Sequence, residues 1–141
     1  MSRSEPAGLR AVIVLLWITV ALDVLYWVLF FTTGAVQSSQ EASYLVFERS
    51  FPAADAWMGL AAALCAVGLR RRRAAAVLWG IAAGSALIYL GLMDTLYNLE
   101  NGMYASVTAE MAGEIGINLT CFAFGPFLLA YVWRHRRWLD A

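Results

Sequence analysis

The sequence predicts an all-α membrane protein, a single domain over residues 1–141 folded as a four-helix transmembrane bundle. Of the 141 residues, 62% are hydrophobic and the mean hydropathy is +0.66. Only 14% are charged, whereas about 25% is usual for a soluble domain. Four long apolar segments follow one another along the chain, and the length suits one domain. This composition excludes an ordinary soluble protein.

The first predicted helix covers about residues 9–32, and its only charged residues are Arg10 and Asp23. This apolar run is longer than the 7–15 residues of a signal peptide, so we interpret it as a retained transmembrane helix. The remaining helices are predicted at about 52–69, 74–97 and 109–133. At 1.5 Å per residue each is long enough to cross about 30 Å of hydrocarbon, although the second is marginal. Pro52 suits the first turn of its helix.

The connection between the first two segments is amphipathic in its second half. Its apolar and aromatic residues include Tyr44, Leu45, Phe47 and Phe51. This pattern predicts a short helix that either lies on the membrane interface or caps the bundle.

Arginine sets the predicted orientation, since all ten basic residues are arginine. If the four helices alternate in direction, nine of the ten fall on one side of the membrane: Arg3, Arg10, Arg70, Arg71, Arg72, Arg73, Arg134, Arg136 and Arg137. Only Arg49 falls on the other side. The positive-inside rule therefore predicts a multi-pass protein of the cell membrane with both termini cytoplasmic.

Acidic and amide side chains gather on the opposite, outer side. Asp94 and Asn98 are four residues apart, as are Glu114 and Asn118, so each pair shares one face of a helix. A carboxylate in an apolar helix is costly against lipid and should face the bundle interior. The predicted ligand- or ion-binding residues are Asp23, Asp55, Asp94, Asn98, Glu110, Glu114 and Asn118.

Structural roles are open for several of these acids. Asp55, Glu110 and Glu114 also suit the N-terminal end of a helix, where the dipole favours negative charge. Asp23 also suits a hydrogen bond between helices.

With Arg49 as the only outer basic residue, ion pairs cannot neutralise these acids. They are therefore either protonated or balanced by a bound cation. The leading functional hypothesis is binding, with or without translocation, of a proton, a cation or a small cationic or amphipathic molecule. One alternative is a membrane enzyme acting on a lipid-like substrate, with Asp23, Asp94 or Glu114 as acid–base groups. Another is an accessory subunit whose polar faces meet a second copy or a partner's helices.

Several classes are disfavoured by missing residue types. The chain has no lysine, which argues against Schiff-base chemistry, and its two cysteines form no C-x-x-C motif. His135 is the only histidine, so a histidine-ligated zinc or haem centre is not expected. The sequence thus predicts neither a cofactor nor a nucleic-acid partner. The predicted environment of the protein is the lipid bilayer.

Three features of the chain are its four helices, an acid late in the first segment and the long outer loop that follows. In these features it resembles four-helix membrane isomerases and ligand-binding proteins of the emopamil-binding and sigma-2-receptor type. That resemblance implies carboxylates acting in a cavity between the helices. It extends to no residue motif and so assigns no functional residues.

Overall fold

The computed structural model describes residues 4–139, and these are organised as helices. They are α1 (Leu9–Thr32), α2 (Ala42–Glu48), α3 (Pro52–Arg70), α4 (Ala75–Glu100), α5 (Ala109–Arg134) and α6 (Arg136–Leu139), with a 3₁₀ turn at Met103–Ala105. Four helical spans are long and apolar enough to cross a membrane: Leu9–Thr32, Ala42–Arg70, Ala75–Glu100 and Ala109–Arg134. The predicted all-helical class and its four long helices are confirmed. Arg3, which enters the predicted charge asymmetry, lies outside the described residues.

Local sequence explains where the helices begin and turn. Pro52 occupies the first turn of α3, where the missing amide hydrogen is not needed. Thr108 caps α5, since its hydroxyl accepts a hydrogen bond of 3.2 Å from the Met111 amide. Between α4 and α5 the chain reverses through Gly102, whose φ of 64° is readily adopted by glycine.

The four long helices pack in a row rather than in a closed ring. α1 packs on α3, α3 on α4, and α4 on α5, while α1 and α5 do not pack side by side. A close approach joins α4 to α5 at Gly84 and Gly125. A Cβ atom added to Gly84 would lie 2.8 Å from the Gly125 carbonyl oxygen, so the two backbones are in direct contact.

One end of the bundle is solidly packed. We call it the arginine end, because it carries the link of residues 71–74 and the C-terminus of α5. Leu16, Leu69, Leu128 and Val132 are at most 1% exposed there. The Tyr131 hydroxyl donates a hydrogen bond of 3.3 Å to the carbonyl oxygen of Ala7, just before α1. The interior of the bundle is therefore tightly packed near the arginine end.

The opposite end, here called the α2 end, is covered by the loop after α1 and by α2 itself. Tyr44 is buried, and its hydroxyl accepts a hydrogen bond from the Ser38 amide at 3.1 Å. Phe47 stacks on Tyr97 of α4, with ring centroids 3.9 Å apart. Of the two arrangements that the sequence left open, α2 adopts the one that caps the bundle.

Candidate functional site

A cavity of about 390 Å³ lies in the half of the bundle nearest the α2 end. Apolar and aromatic side chains make up most of its wall, among them Leu22, Trp27, Phe51, Met58, Leu87, Leu90, Ile117 and Phe124. Five acidic residues also line it: Asp23, Glu48, Asp55, Asp94 and Glu114. None of the described residues that line the cavity is basic.

The cavity opens sideways, through the slot between α1 and α5. Leu22 on α1 and Ile117 on α5 both line it, and they are 59% and 46% exposed. Gly116 and Thr120 on α5 also line it and are exposed. These exposed lining residues give the cavity a lateral opening between α1 and α5.

Three of the acids meet at the α2 end, and we call them the carboxyl cluster: Glu48, Asp94 and Glu114. One carboxylate oxygen from each lies within 4.8 Å of the others. Glu48 and Glu114 are buried, at 5% and 6% exposure. Within residues 4–139 no arginine pairs with the cluster, and the nearest in sequence, Arg49, is exposed.

Glu114 is held by two neutral donors. The Asn98 amide nitrogen donates to its Oε1, and the Ser38 hydroxyl donates to its Oε2. Asn98 is fully buried, and its Oδ1 has no hydrogen-bond partner among the described residues. A buried acceptor without a partner is uncommon in folded proteins, because the lost hydration is not replaced.

The other two members of the cluster are also held by neutral groups. The Asn118 amide nitrogen donates to Asp94 Oδ2 at 2.5 Å. The Tyr26 hydroxyl lies 3.4 Å from Glu48 Oε2 and donates to it. All three carboxyl groups therefore accept hydrogen bonds from uncharged side chains, an arrangement that orients them without neutralising them.

Asp23 and Asp55 form a second group, the aspartate pair, on the α1 and α3 walls. The Trp27 indole nitrogen donates to Asp55 Oδ2 at 2.9 Å. A Cβ atom at Gly59 would lie 2.9 Å from Asp23 Oδ2, so the glycine makes room for that carboxylate. The neighbouring wall includes Met58, so this pair has a more apolar setting than the carboxyl cluster.

Most of the predicted site residues lie on this cavity: Asp23, Asp55, Asp94, Glu114 and Asn118. Asn98 lies behind its wall, against Glu114. Glu110 does not belong to the lining; it is exposed on the first turn of α5. Sequence reasoning missed Glu48 and Ser38. The four-residue spacing of Tyr44 and Glu48, which are both buried, is the signal that places Glu48 on the inner face of α2.

Comparisons with protein-family models, with curated proteins and with solved structures found no match. The chemistry of the site therefore has to be argued from its own residues. Carboxylates within 5 Å of one another repel strongly where water is scarce. Glu48, Asp94 and Glu114 lie within this range of one another, and Asp23 and Asp55 line the same cavity.

Proposed function

We propose that the four long helices cross the cell membrane with both termini in the cytoplasm, and that the protein binds a small amphipathic cation in the outer half of the bilayer. The charge distribution supports the orientation. Arg10, residues 70–73 and Arg134 lie at the arginine end, whereas Arg49 lies at the α2 end. Positive charge is retained on the cytoplasmic side of membrane proteins. The cavity then opens in the outer leaflet.

Labelling of introduced cysteines tests this orientation. Gln40 is exposed in the loop beside α2, and Arg71 is exposed in the link at the arginine end. In intact cells, Gln40→Cys should react with a membrane-impermeant maleimide, and Arg71→Cys should react only after the cells are lysed. The unmodified protein controls for the native Cys65 and Cys121, which are buried. Labelling of Arg71→Cys alone in intact cells would reverse the orientation.

The observation that carries the ligand class is a mostly apolar cavity with five carboxyl groups and no basic residue in its described wall. An apolar molecule gains from the walls, and a positive charge is needed to balance the acids. Tyr26, Trp27 and Phe51 add aromatic rings, which attract cations through their faces. A protonated amine with an apolar body meets all three conditions.

The slot between α1 and α5 favours a ligand that partitions into lipid. In a bilayer this slot faces hydrocarbon and gives lateral access to the cavity. Tight packing near the arginine end favours binding over conduction. The enzyme and accessory-subunit hypotheses stay predictions.

A matched series of ten-carbon probes tests the ligand class. With the protein in lipid nanodiscs, decylamine should show saturable binding by calorimetry, whereas decanol and decanoate should show only the partitioning seen with empty discs. Asp55→Asn removes a charge that lies on the apolar wall and should weaken decylamine binding about tenfold or more, an effect of at least about 1.4 kcal/mol. Glu100→Gln, at the exposed end of α4, should bind like wild type.

Equal binding of decylamine and decanol would contradict a cation site, and so would unchanged decylamine binding in both Asp55→Asn and Asp23→Asn.

A further inference from the structure

We propose that the carboxyl cluster, together with the Asn98 side-chain oxygen, is a binding site for one hard divalent cation of the Ca²⁺ type. This site is at the α2 end of the cavity, and the inference does not rest on amine binding at the aspartate pair.

The geometry of the cluster suits an oxygen-coordinated ion. One oxygen from each of Glu48, Asp94 and Glu114 lies within 4.8 Å of the others. Ca²⁺ binds oxygen at 2.3–2.6 Å, so two ligands on opposite sides of the ion are about 4.6–5.2 Å apart. Mg²⁺ binds at 2.0–2.1 Å, so its opposite ligands are only about 4.2 Å apart. The three oxygens are therefore close enough to contact one Ca²⁺ ion together, and an all-protein oxygen donor set suits Ca²⁺ better than Mg²⁺, which usually keeps several waters.

Asn98 gives an independent indication of a ligand. Its side chain is fully buried, its nitrogen donates to Glu114, and its Oδ1 has no partner among the described residues. The hydrogen bond from the same amide group to Glu114 keeps this oxygen beside the cluster, and we assign it as the fourth ligand. Amide and carboxylate oxygens are the donors that Ca²⁺ prefers. An ion at this point would satisfy the one acceptor of the amide that the fold leaves without a partner.

The surroundings of the cluster favour a compact divalent ion over an alkylammonium group. Four neutral side chains donate hydrogen bonds to the three carboxyl groups: Tyr26, Ser38, Asn98 and Asn118. Such partners fix the orientation of metal-binding carboxylates. They also make the site polar on several sides, in contrast to the aspartate pair. Two positive charges balance three carboxylates more closely than one does.

The sequence predicted Asp94, Asn98 and Glu114 as ligand- or ion-binding residues, but it did not predict that Glu48 joins them. Glu48 comes from the loop-side helix α2, whereas Asp94 and Glu114 come from α4 and α5. Only the folding of α2 onto the bundle end brings the three together.

Direct binding of Ca²⁺ tests the inference. Purified full-length protein in calcium-free detergent solution should bind one ⁴⁵Ca²⁺ per chain in equilibrium dialysis, with a Kd of about 10⁻⁴–10⁻³ M, as in extracellular calcium modules. Glu114→Gln and Asp94→Asn keep side-chain size and should each weaken binding about tenfold or more. Glu100→Gln, at the exposed end of α4, is the matched control and should bind Ca²⁺ like wild type.

A second measurement needs no variant. Mn²⁺ has similar ligand preferences, so wild-type protein should remove one equivalent of the free Mn²⁺ signal in electron paramagnetic resonance, and Ca²⁺ should restore it. Methylammonium at the same concentration should not. Absence of saturable Ca²⁺ and Mn²⁺ binding would overturn the inference, as would unchanged Ca²⁺ affinity in both Glu114→Gln and Asp94→Asn. Displacement of Mn²⁺ by methylammonium as effective as that by Ca²⁺ would instead assign the cluster to amines.

Discussion

Gly125→Ala is expected to destabilise the protein by about 1–3 kcal/mol, the range found when a methyl group is forced into a packed interior. The new Cβ atom would lie 2.9 Å from the Gly84 carbonyl oxygen and 2.8 Å from Ile88 Cγ1. The oxygen belongs to the backbone of α4, so it cannot move aside as a flexible side chain would. The helices must separate, and the packing between them is lost along their length. Thermal unfolding of the purified protein, followed by tryptophan fluorescence, measures the effect.

The same helix supplies the control. An added Cβ atom at Gly113 has no other group within 4 Å apart from the helix's own backbone. Alanine is also the better helix former by about 0.5–1 kcal/mol. Gly113→Ala should therefore unfold at the wild-type temperature or above it. Equal midpoints for Gly125→Ala and Gly113→Ala would mean that α4 and α5 are not in backbone contact.

Glu114→Leu is expected to be less stable than Glu114→Gln by about 1–3 kcal/mol, the cost of a buried polar group left without its hydrogen bond. Both substitutions remove the same charge, so the relief of repulsion within the carboxyl cluster cancels in the comparison. Glutamine keeps an oxygen that can accept from Asn98 and Ser38, whereas leucine keeps none. Asn98, fully buried and already lacking a partner for Oδ1, would then make no side-chain hydrogen bond at all.

A parallel pair of variants at Glu100 controls for the chemical difference between leucine and glutamine. Glu100 is exposed at the end of α4, so its two variants should differ little in denaturation midpoint. A Leu–Gln difference at residue 114 no larger than that at residue 100 would show that Glu114 is not the acceptor for a buried amide.

The long helices could be predicted because each depends on local information. An unbroken apolar run fixes the extent of α1, and Pro52 fixes the start of α3 to within the first turn. The predicted end of the third segment falls three residues short of Glu100, because its polar last turn, which includes Asn98, resembles a loop in composition. Burial of Asn98 against Glu114 extends the helix there.

The site was harder to predict from the sequence, because it depends on which turns of the polar face of α5 lie inside the bundle. A spacing of four residues relates Glu110, Glu114 and Asn118. That spacing does not tell which of the three is buried in the bundle and which is exposed. The structure leaves Glu110 exposed and buries Glu114. Glu48 lines the cavity and Ser38 donates to Glu114 because the connection between α1 and α3 folds onto the bundle. Connections are governed by tertiary contacts more than by periodicity.

The row of long helices is packed more closely on its α4 and α5 side than on its α1 side. α4 and α5 meet backbone to backbone at Gly84 and Gly125, so the wall that carries Asp94 and Glu114 has little freedom to shift. α1 packs on α3 alone among the long helices, and only 11% of its most apolar stretch is buried, against 39% for α4 and for α5. The hydrogen bond from Trp27 to Asp55 ties α1 to α3 beside the cavity. Of the four long helices, α1 therefore has the smallest share of its apolar surface covered by the bundle, and the Trp27–Asp55 hydrogen bond is one of the contacts that hold it beside the cavity.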